Sequence, residues 1–262
     1  MSMRAPASGA LDGAVDWQRV SAGTALPVGE VHVWRADLDR MDWPFLRLAR
    51  SLSPDERERA DAYRFAQDRR RFMVARGLLR WLLARYLGDA PDEVCLCYGP
   101  RGKPELSRRR GGHPLRFNCS RSRGQALFAL TRGRRIGVDL ETVRPIPEAR
   151  QIAERWFTPA ERAALATVWS NRHDEAFMRL WTLKEAFVKA LGDGIADGLE
   201  RMEVAMSPGC VPVLCALDGD STAAAHWSLR VLPSTAGECA SLVLEGRDYR
   251  LRCLTLDASI GV

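Results

Sequence analysis

Zinc and disulfide chemistry are the first things this sequence argues against. It has only four histidines, standing far apart, and no C-x-x-C pair among its seven cysteines. Neither a zinc cluster nor a disulfide framework fits that spacing. The thiols are expected to be reduced and mostly buried. No apolar run approaches the roughly eighteen residues that a membrane span needs. The opening stretch MSMRAPASGALDGAVDWQRV has no apolar signal core, so the expected compartment is the cytoplasm. Residues 1–28 read as a poorly ordered lead-in. What remains is ordinary globular composition, 46% hydrophobic and 27% charged over 262 residues, enough for one large domain or two small ones.

The charge is unevenly spread. Residues 1–136 hold 26 Lys and Arg against 15 Asp and Glu, while the rest hold 13 against 18. A basic half joined to an acidic half suggests a polyanion gripped by one part and carboxylates gathered in the other.

Two segments resemble each other: LSPDERERADAYRFAQDRRRFMVARGLLRWLLARYLG, from Leu52, and FTPAERAALATVWSNRHDEAFMRLWTLKEAFVKALG, from Phe157. Each opens with a hydroxyl residue, proline and a glutamate at the third helical position (Ser53 to Glu56, Thr158 to Glu161). That is a capping box with proline at the first turn. Each carries Phe-Met at the same interval and closes on Leu-Gly, a helix stop. An internal duplication is the reading. Alternating stretches surround the helices: VHVWRADL, LRFNCSRS, ALFALTRGRRIGVDLE, MEVAM, VPVLCAL, HWSLRVL, ASLVLE and YRLRCLTL. Their period marks strands. The fold class is α+β, two similar α/β halves with a seam near residues 133–137.

Asp139 and Glu141 stand at i and i+2 in GVDLE, so a strand puts both on one face. Paired carboxylates repel unless a cation or proton lies between them, and hard oxygen ligands suit Mg²⁺. Further on, Leu180, Leu183, Phe187 and Leu191 form an apolar helix stripe, with Trp181, Glu185 and Lys189 as a second line beside it. Lys103 sits in a Gly-Lys-Pro turn. Phe117 to Ser122 offers hydroxyl and guanidinium groups, and Arg69 to Arg71 form a basic cluster. Together these can cradle phosphates.

GVDLE, followed about forty residues later by WTLKEAFVKALG, resembles the paired signature of the Sfp-type 4′-phosphopantetheinyl transferases. The Gly-Lys-Pro turn and FNCSRS are similar to two further motifs of that family, in the same order. The resemblance implies a pseudodimer of two α/β halves, with the active site at their junction. It implies transfer of the phosphopantetheine arm of coenzyme A to a serine of an apo acyl, peptidyl or aryl carrier protein, releasing 3′,5′-ADP, by a monomer that binds neither nucleic acid nor membrane. It implies Mg²⁺ on Asp139, Glu141 and Glu185, and pyrophosphate on Lys189. Lys103 and Ser120 would hold coenzyme A. Arg59, Arg71 (or Arg70) and Arg121 would hold its 3′-phosphate, and Lys184 has either a phosphate-side or a structural role. Glu185, or a metal-bound water beside it, is the candidate base. Residues 29–135 would then bind the coenzyme A phosphates, and residues 136–262 the metal.

Two positions depart from the family pattern. Arg121 stands where histidine is usual, which retains a phosphate donor without titration near neutrality. Glu56 stands where some members have a lysine, so one phosphate contact is expected to be missing. Two other readings compete. A Mg²⁺-dependent nuclease or other phosphotransferase uses the carboxylates but leaves GKP and FNCSRS unexplained. A nucleic-acid-binding protein uses the arginine clusters, including Arg108 to Arg110 and Arg134-Arg135, but leaves the carboxylates unexplained.

Overall fold

A computed structural model describes residues 16–19, 25–107, 114–168, 173–192, 198–206 and 211–258. The chain runs through the same order of elements twice. The first pass is β2 (Glu30–Asp37), α1 (Phe45–Arg50), α2 (Pro54–Asp61), α3 (Ala66–Leu87), β3 (Leu96–Tyr98), β4 (Pro104–Leu106), β5 (Leu115–Ser122) and β6 (Gln125–Arg132). The second is β7 (Ile136–Thr142), α4 (Ala149–Trp156), α5 (Pro159–Ala166), α6 (His173–Leu191), β8 (Met202–Ala205), β9 (Val213–Leu217), the short α7 (Ser221–Ala224), β10 (Trp227–Val231) and β11 (Glu238–Glu245). In each pass the opening strand pairs with the last strand, which pairs with the one before it: β2–β6–β5 and β7–β11–β10, all antiparallel.

Each segment read as one long helical stretch is a short helix followed by a long one. The first short helix has its capping box, with Ser53 N donating to Glu56 Oε2 at 3.0 Å. The second has Thr158 N donating to Glu161 Oε2 at 2.8 Å. Phe65 then resets the chain to extended backbone before α3 begins. Both long helices end at a left-handed glycine, Gly88 and Gly192, where a β-carbon would be strained.

Three apolar clusters hold these layers. One lies under α3, including Leu78, Leu82, Trp34 and Phe128. A second lies around α6, including Phe177, Leu183, Phe187 and Trp227. The third joins the two sheets, with Val31, Val33 and Leu127 against Val138, Leu140 and Leu242. The halves therefore share buried surface along the seam.

Two features cross the boundary expected at residue 135. β12 (Arg250–Thr255) returns to the first sheet and pairs parallel to β2. An alternating strand does not reveal which sheet it joins; here it covers the edge that β2 would otherwise leave open. β1 (Gln18–Arg19) pairs with β12 in turn, and Trp17 Nε1 donates to Pro233 O at 2.9 Å. Residues 16–19 of the expected lead-in thus belong to the fold.

Candidate active site

The seam brings β5 and β7 side by side, and their alternating side chains meet in pairs. Asn118 Oδ1 accepts from Val138 N at 2.9 Å. Ser120 Oγ donates to Asp139 Oδ1 at 2.8 Å, and Ser122 Oγ to Glu141 Oε2 at 3.2 Å. The period of two that puts Asp139 and Glu141 on one face also points them at the hydroxyls of FNCSRS.

Helix α6 lies against β7 at close range because residue 137 is glycine. A β-carbon there would fall 1.9 Å from Ala186 O. This approach delivers the Trp181, Glu185, Lys189 line to the carboxylates. Lys189 Nζ donates to Asp139 Oδ1 at 2.6 Å and to Ser120 Oγ at 3.0 Å. A cleft of about 480 Å³ opens here, lined by Ser120, Arg121, Asp139, Glu141, Trp181, Glu185 and Lys189. Its opposite wall is α3, through Phe72, Ala75, Arg76 and Leu79.

The electrostatics of the cleft favour a cation. Burial pushes the Glu185 carboxyl up to about 7, with the Asp139 and Glu141 charges adding to it and Lys189 opposing. Burial and then Asp139 raise Glu141 as well. Asp139 Oδ2 and Glu185 Oε1 are buried and have no hydrogen-bond partner. Such atoms are costly unless a proton or metal satisfies them. The donor set, three carboxylates and a serine hydroxyl, is one that Mg²⁺ accepts. The carboxylates are spread along the cleft: among the described residues no three His, Cys, Asp or Glu side chains already form a closed metal cluster.

Four residues that the resemblance linked to coenzyme A do not line the cleft. Lys184 is fully buried, donating to both oxygens of Glu161 at 2.9 and 2.7 Å and to Met202 O at 2.9 Å. One residue along a helix turns about 100°, so the neighbour of Glu185 faces the core. Lys103 donates to Lys189 O at 2.5 Å and Ala190 O at 3.1 Å, at the end of α6. Arg71 forks onto Asp39 at 2.8 and 2.5 Å, and its neighbour Arg70 donates to Leu38 O and Arg40 O. Arg59 lies over the Tyr98 ring at 4.1 Å.

Glu56, where a phosphate contact was expected to be missing, points into the core. It is fully buried and accepts from Arg80 Nε at 2.5 Å. Among the described residues, four of the five clustered arginines are engaged within the fold: besides Arg70 and Arg71, Arg69 pairs with Asp61 and Arg134 donates to Asp248 O. Arg108 to Arg110 lie outside the described residues, as do Asp193 and Gly194 at the end of the motif. The six described cysteines are free thiols, but against expectation only Cys239 and Cys253 are buried, and Cys95 and Cys97 are exposed on the β3–β4 hairpin and the segment before it.

One cleft residue escaped the sequence reading. Arg76 lines the wall of α3, and its Nη1 is buried without a partner. Its guanidinium lies 5.7 Å from the Phe72 ring, which also carries Arg121 at 5.3 Å. The available signal was an arginine four residues after Phe72, in a stretch, Phe72 to Leu79, that is otherwise free of charge.

A family model described as the 4′-phosphopantetheinyl transferase superfamily matches residues 135–251, and one described as 4′-phosphopantetheinyl transferase, N-terminal, matches residues 34–130. The 4′-phosphopantetheinyl transferase HetI of a Nostoc species is 44% identical over 179 residues, 68% of this chain and 75% of that protein. The chain belongs to the 4′-phosphopantetheinyl transferase superfamily. The human L-aminoadipate-semialdehyde dehydrogenase-phosphopantetheinyl transferase is 32% identical over 198 residues, 72% of this chain and 59% of that protein. Among solved structures, the holo-[acyl-carrier-protein] synthase of Thermotoga maritima matches 43% of this chain and 62% of its own, at 28% identity and a TM-score of 0.34. The boundary between the two superfamily models falls at residues 130–135, in the turn between β6 and β7.

Proposed function

We propose that this 4′-phosphopantetheinyl transferase moves the phosphopantetheine arm of coenzyme A onto a serine of an apo acyl, peptidyl or aryl carrier protein. The observation that carries the reading is the pair of unpartnered buried carboxylate oxygens, on Asp139 and Glu185, beside Lys189 in the cleft. Lys189 serves the other oxygen of Asp139, and burial makes the remaining two costly unless a proton or a metal meets them.

The serine Oγ bonds to the β-phosphorus, the bond from that phosphorus to the bridging oxygen breaks, and 3′,5′-ADP leaves. Such transfers depend on positioning and on neutralising charge. Asp139, Glu141 and Glu185 would hold Mg²⁺, which when bound supplies part of that neutralisation. Lys189 adds its ammonium to the pyrophosphate. Ser120 holds Asp139 and, with Lys189, faces the donor. Arg76 and Arg121, both set against Phe72, present guanidiniums to the 3′-phosphate. Glu185 takes the serine proton on Oε1.

The excess of basic residues in the first half suits an acidic carrier. Both halves come from one chain, so a monomer carries a whole site. No helix among the described residues is long and apolar enough to cross a membrane, and we place the enzyme in the cytoplasm.

The test is intact-mass spectrometry of apo carriers of the three types, incubated with the protein, Mg²⁺ and coenzyme A. A gain of one phosphopantetheinyl group, with 3′,5′-ADP released, is expected. Unchanged mass for all three would overturn the reading.

A further inference from the structure

Lys103 belongs to the first half but spends its charge on the second. It follows Gly102 in the turn between β3 and β4, and its Nζ donates to the main-chain oxygens of Lys189 and Ala190 at 2.5 and 3.1 Å. Its Cδ lies 3.6 Å from where a β-carbon on Gly192 would stand. The last carbonyls of a helix have no partner within it and carry the negative end of its dipole. An ammonium there completes a C-cap from outside the helix. The side chain is desolvated in doing so, and burial lowers its pKa to about 8. Such burial is costly unless the donors are used.

The capped turn is the one that carries Lys189. That lysine reaches Ser120 Oγ at 3.0 Å and Asp139 Oδ1 at 2.6 Å from a backbone which Lys103 holds by its own carbonyl. The contact crosses between the halves: a hairpin of the first grips the end of the helix that brings Glu185 and Lys189 to the cleft.

We infer that Lys103 is a positioning residue, a clamp across the seam that fixes the last turn of α6 and so the reach of Lys189, and that it does not touch the nucleotide. This rests on the reading of Lys189 as the pyrophosphate contact.

The test uses the full chain with Lys103→Met, and with Lys103→Gln in case the first variant does not fold. Steady-state kinetics and calorimetric coenzyme A binding are measured for both. Misplacing a catalytic group by about 1 Å can cost up to about 100-fold in rate, so kcat should fall roughly 10- to 100-fold. The KM and Kd for coenzyme A should change less than kcat, because the charge that Lys189 meets grows in the transition state, and Lys103→Arg should recover part of kcat, since a guanidinium can also cap the helix end. A raised KM and Kd with kcat retained would show a direct nucleotide contact and overturn the inference. Absence of transfer by the wild type would instead defeat the transferase reading, so the two failures are distinct.

Discussion

The two helix pairs, α2–α3 and α5–α6, are built around the same buried device and turn different flanks to the cleft. In the first, Glu56 accepts from the capping backbone of Ser53 and from Arg80, which also donates to Val94 O at 2.9 Å. In the second, Glu161 accepts from the capping backbone of Thr158 and from Lys184, which also donates to Met202 O. In both, one carboxylate caps the short helix and pairs with a cation on the long one, and that cation ties down the chain beyond the long helix. At about 100° per residue, the cleft-facing residues of α3 lie about 90° to one side of Arg80, whereas Trp181, Glu185 and Lys189 lie about 100° to the other side of Lys184. The scaffold is repeated and the chemistry is not. One flank presents Arg76 beside Phe72, and the other presents a carboxylate and a lysine.

The largest effect expected from breaking this comparison is on stability. Lys184→Met leaves the buried Glu161 without its cation, which should cost about 3–5 kcal/mol, whereas Arg80→Met leaves Glu56 with Arg76 Nε at 3.5 Å and should cost less. Urea unfolding measures it. If Lys184 served the pyrophosphate instead, its variant would keep stability and lose turnover, which would separate the two hubs.

A smaller contrast lies in two glycines. Gly137→Ala forces a β-carbon against Ala186 O and should shift α6 away from β7. Gly77→Ala presses on Leu48, 2.7 Å from its Cβ, on the side of α3 away from the cleft. Overpacking of either kind should cost about 1–3 kcal/mol, with the 1.9 Å approach at Gly137 at the upper end. Only Gly137→Ala should also lower kcat in the folded fraction. Equal kcat for both variants would mean that the approach of α6 to β7 does not set the site.

A further contrast is the pH dependence that Glu185 adds in the second half. The Glu185 carboxyl titrates at about 7 when folded, against 4.5 for an ordinary one. Its contribution to stability is therefore fully present below about pH 4.5 and lost as pH rises through about 7, because the unfolded chain ionises first. In metal-free protein, the melting temperature of the wild type relative to Glu185→Gln should fall across that window. A constant difference between the two would contradict the burial of this carboxyl.

Periodicity made much of this legible. The alternation of LRFNCSRS and GVDLE places Ser120, Ser122, Asp139 and Glu141 on facing sides, and the spacing of four places Trp181, Glu185 and Lys189 in one line. The capping boxes marked both helix pairs. What the sequence concealed was the direction each side chain takes. Lys184 sits within the motif, yet its partner Glu161 lies 23 residues earlier. Lys103 sits in a turn that reads as a nucleotide grip, yet its acceptors are carbonyls 86 and 87 residues later. Arg76 reads as one more arginine in a basic half, and only packing shows that Nη1 is unpartnered. A motif records which residues occur together; it does not record which way each one faces.

The division of labour between the halves is best tested by the ratio of kcat/KM for coenzyme A to that for 3′-dephospho-coenzyme A, measured in the wild type, Arg76→Ala and Asp139→Asn. Loss of one phosphate contact is worth roughly 1.5–3 kcal/mol, or at least about tenfold in that ratio. Arg76→Ala should reduce the ratio by that factor with kcat for coenzyme A largely retained, whereas Asp139→Asn should lose kcat and leave the ratio unchanged. A ratio that collapses in Asp139→Asn and survives in Arg76→Ala would contradict the assignment of anion binding to α3 and of the cation to β7.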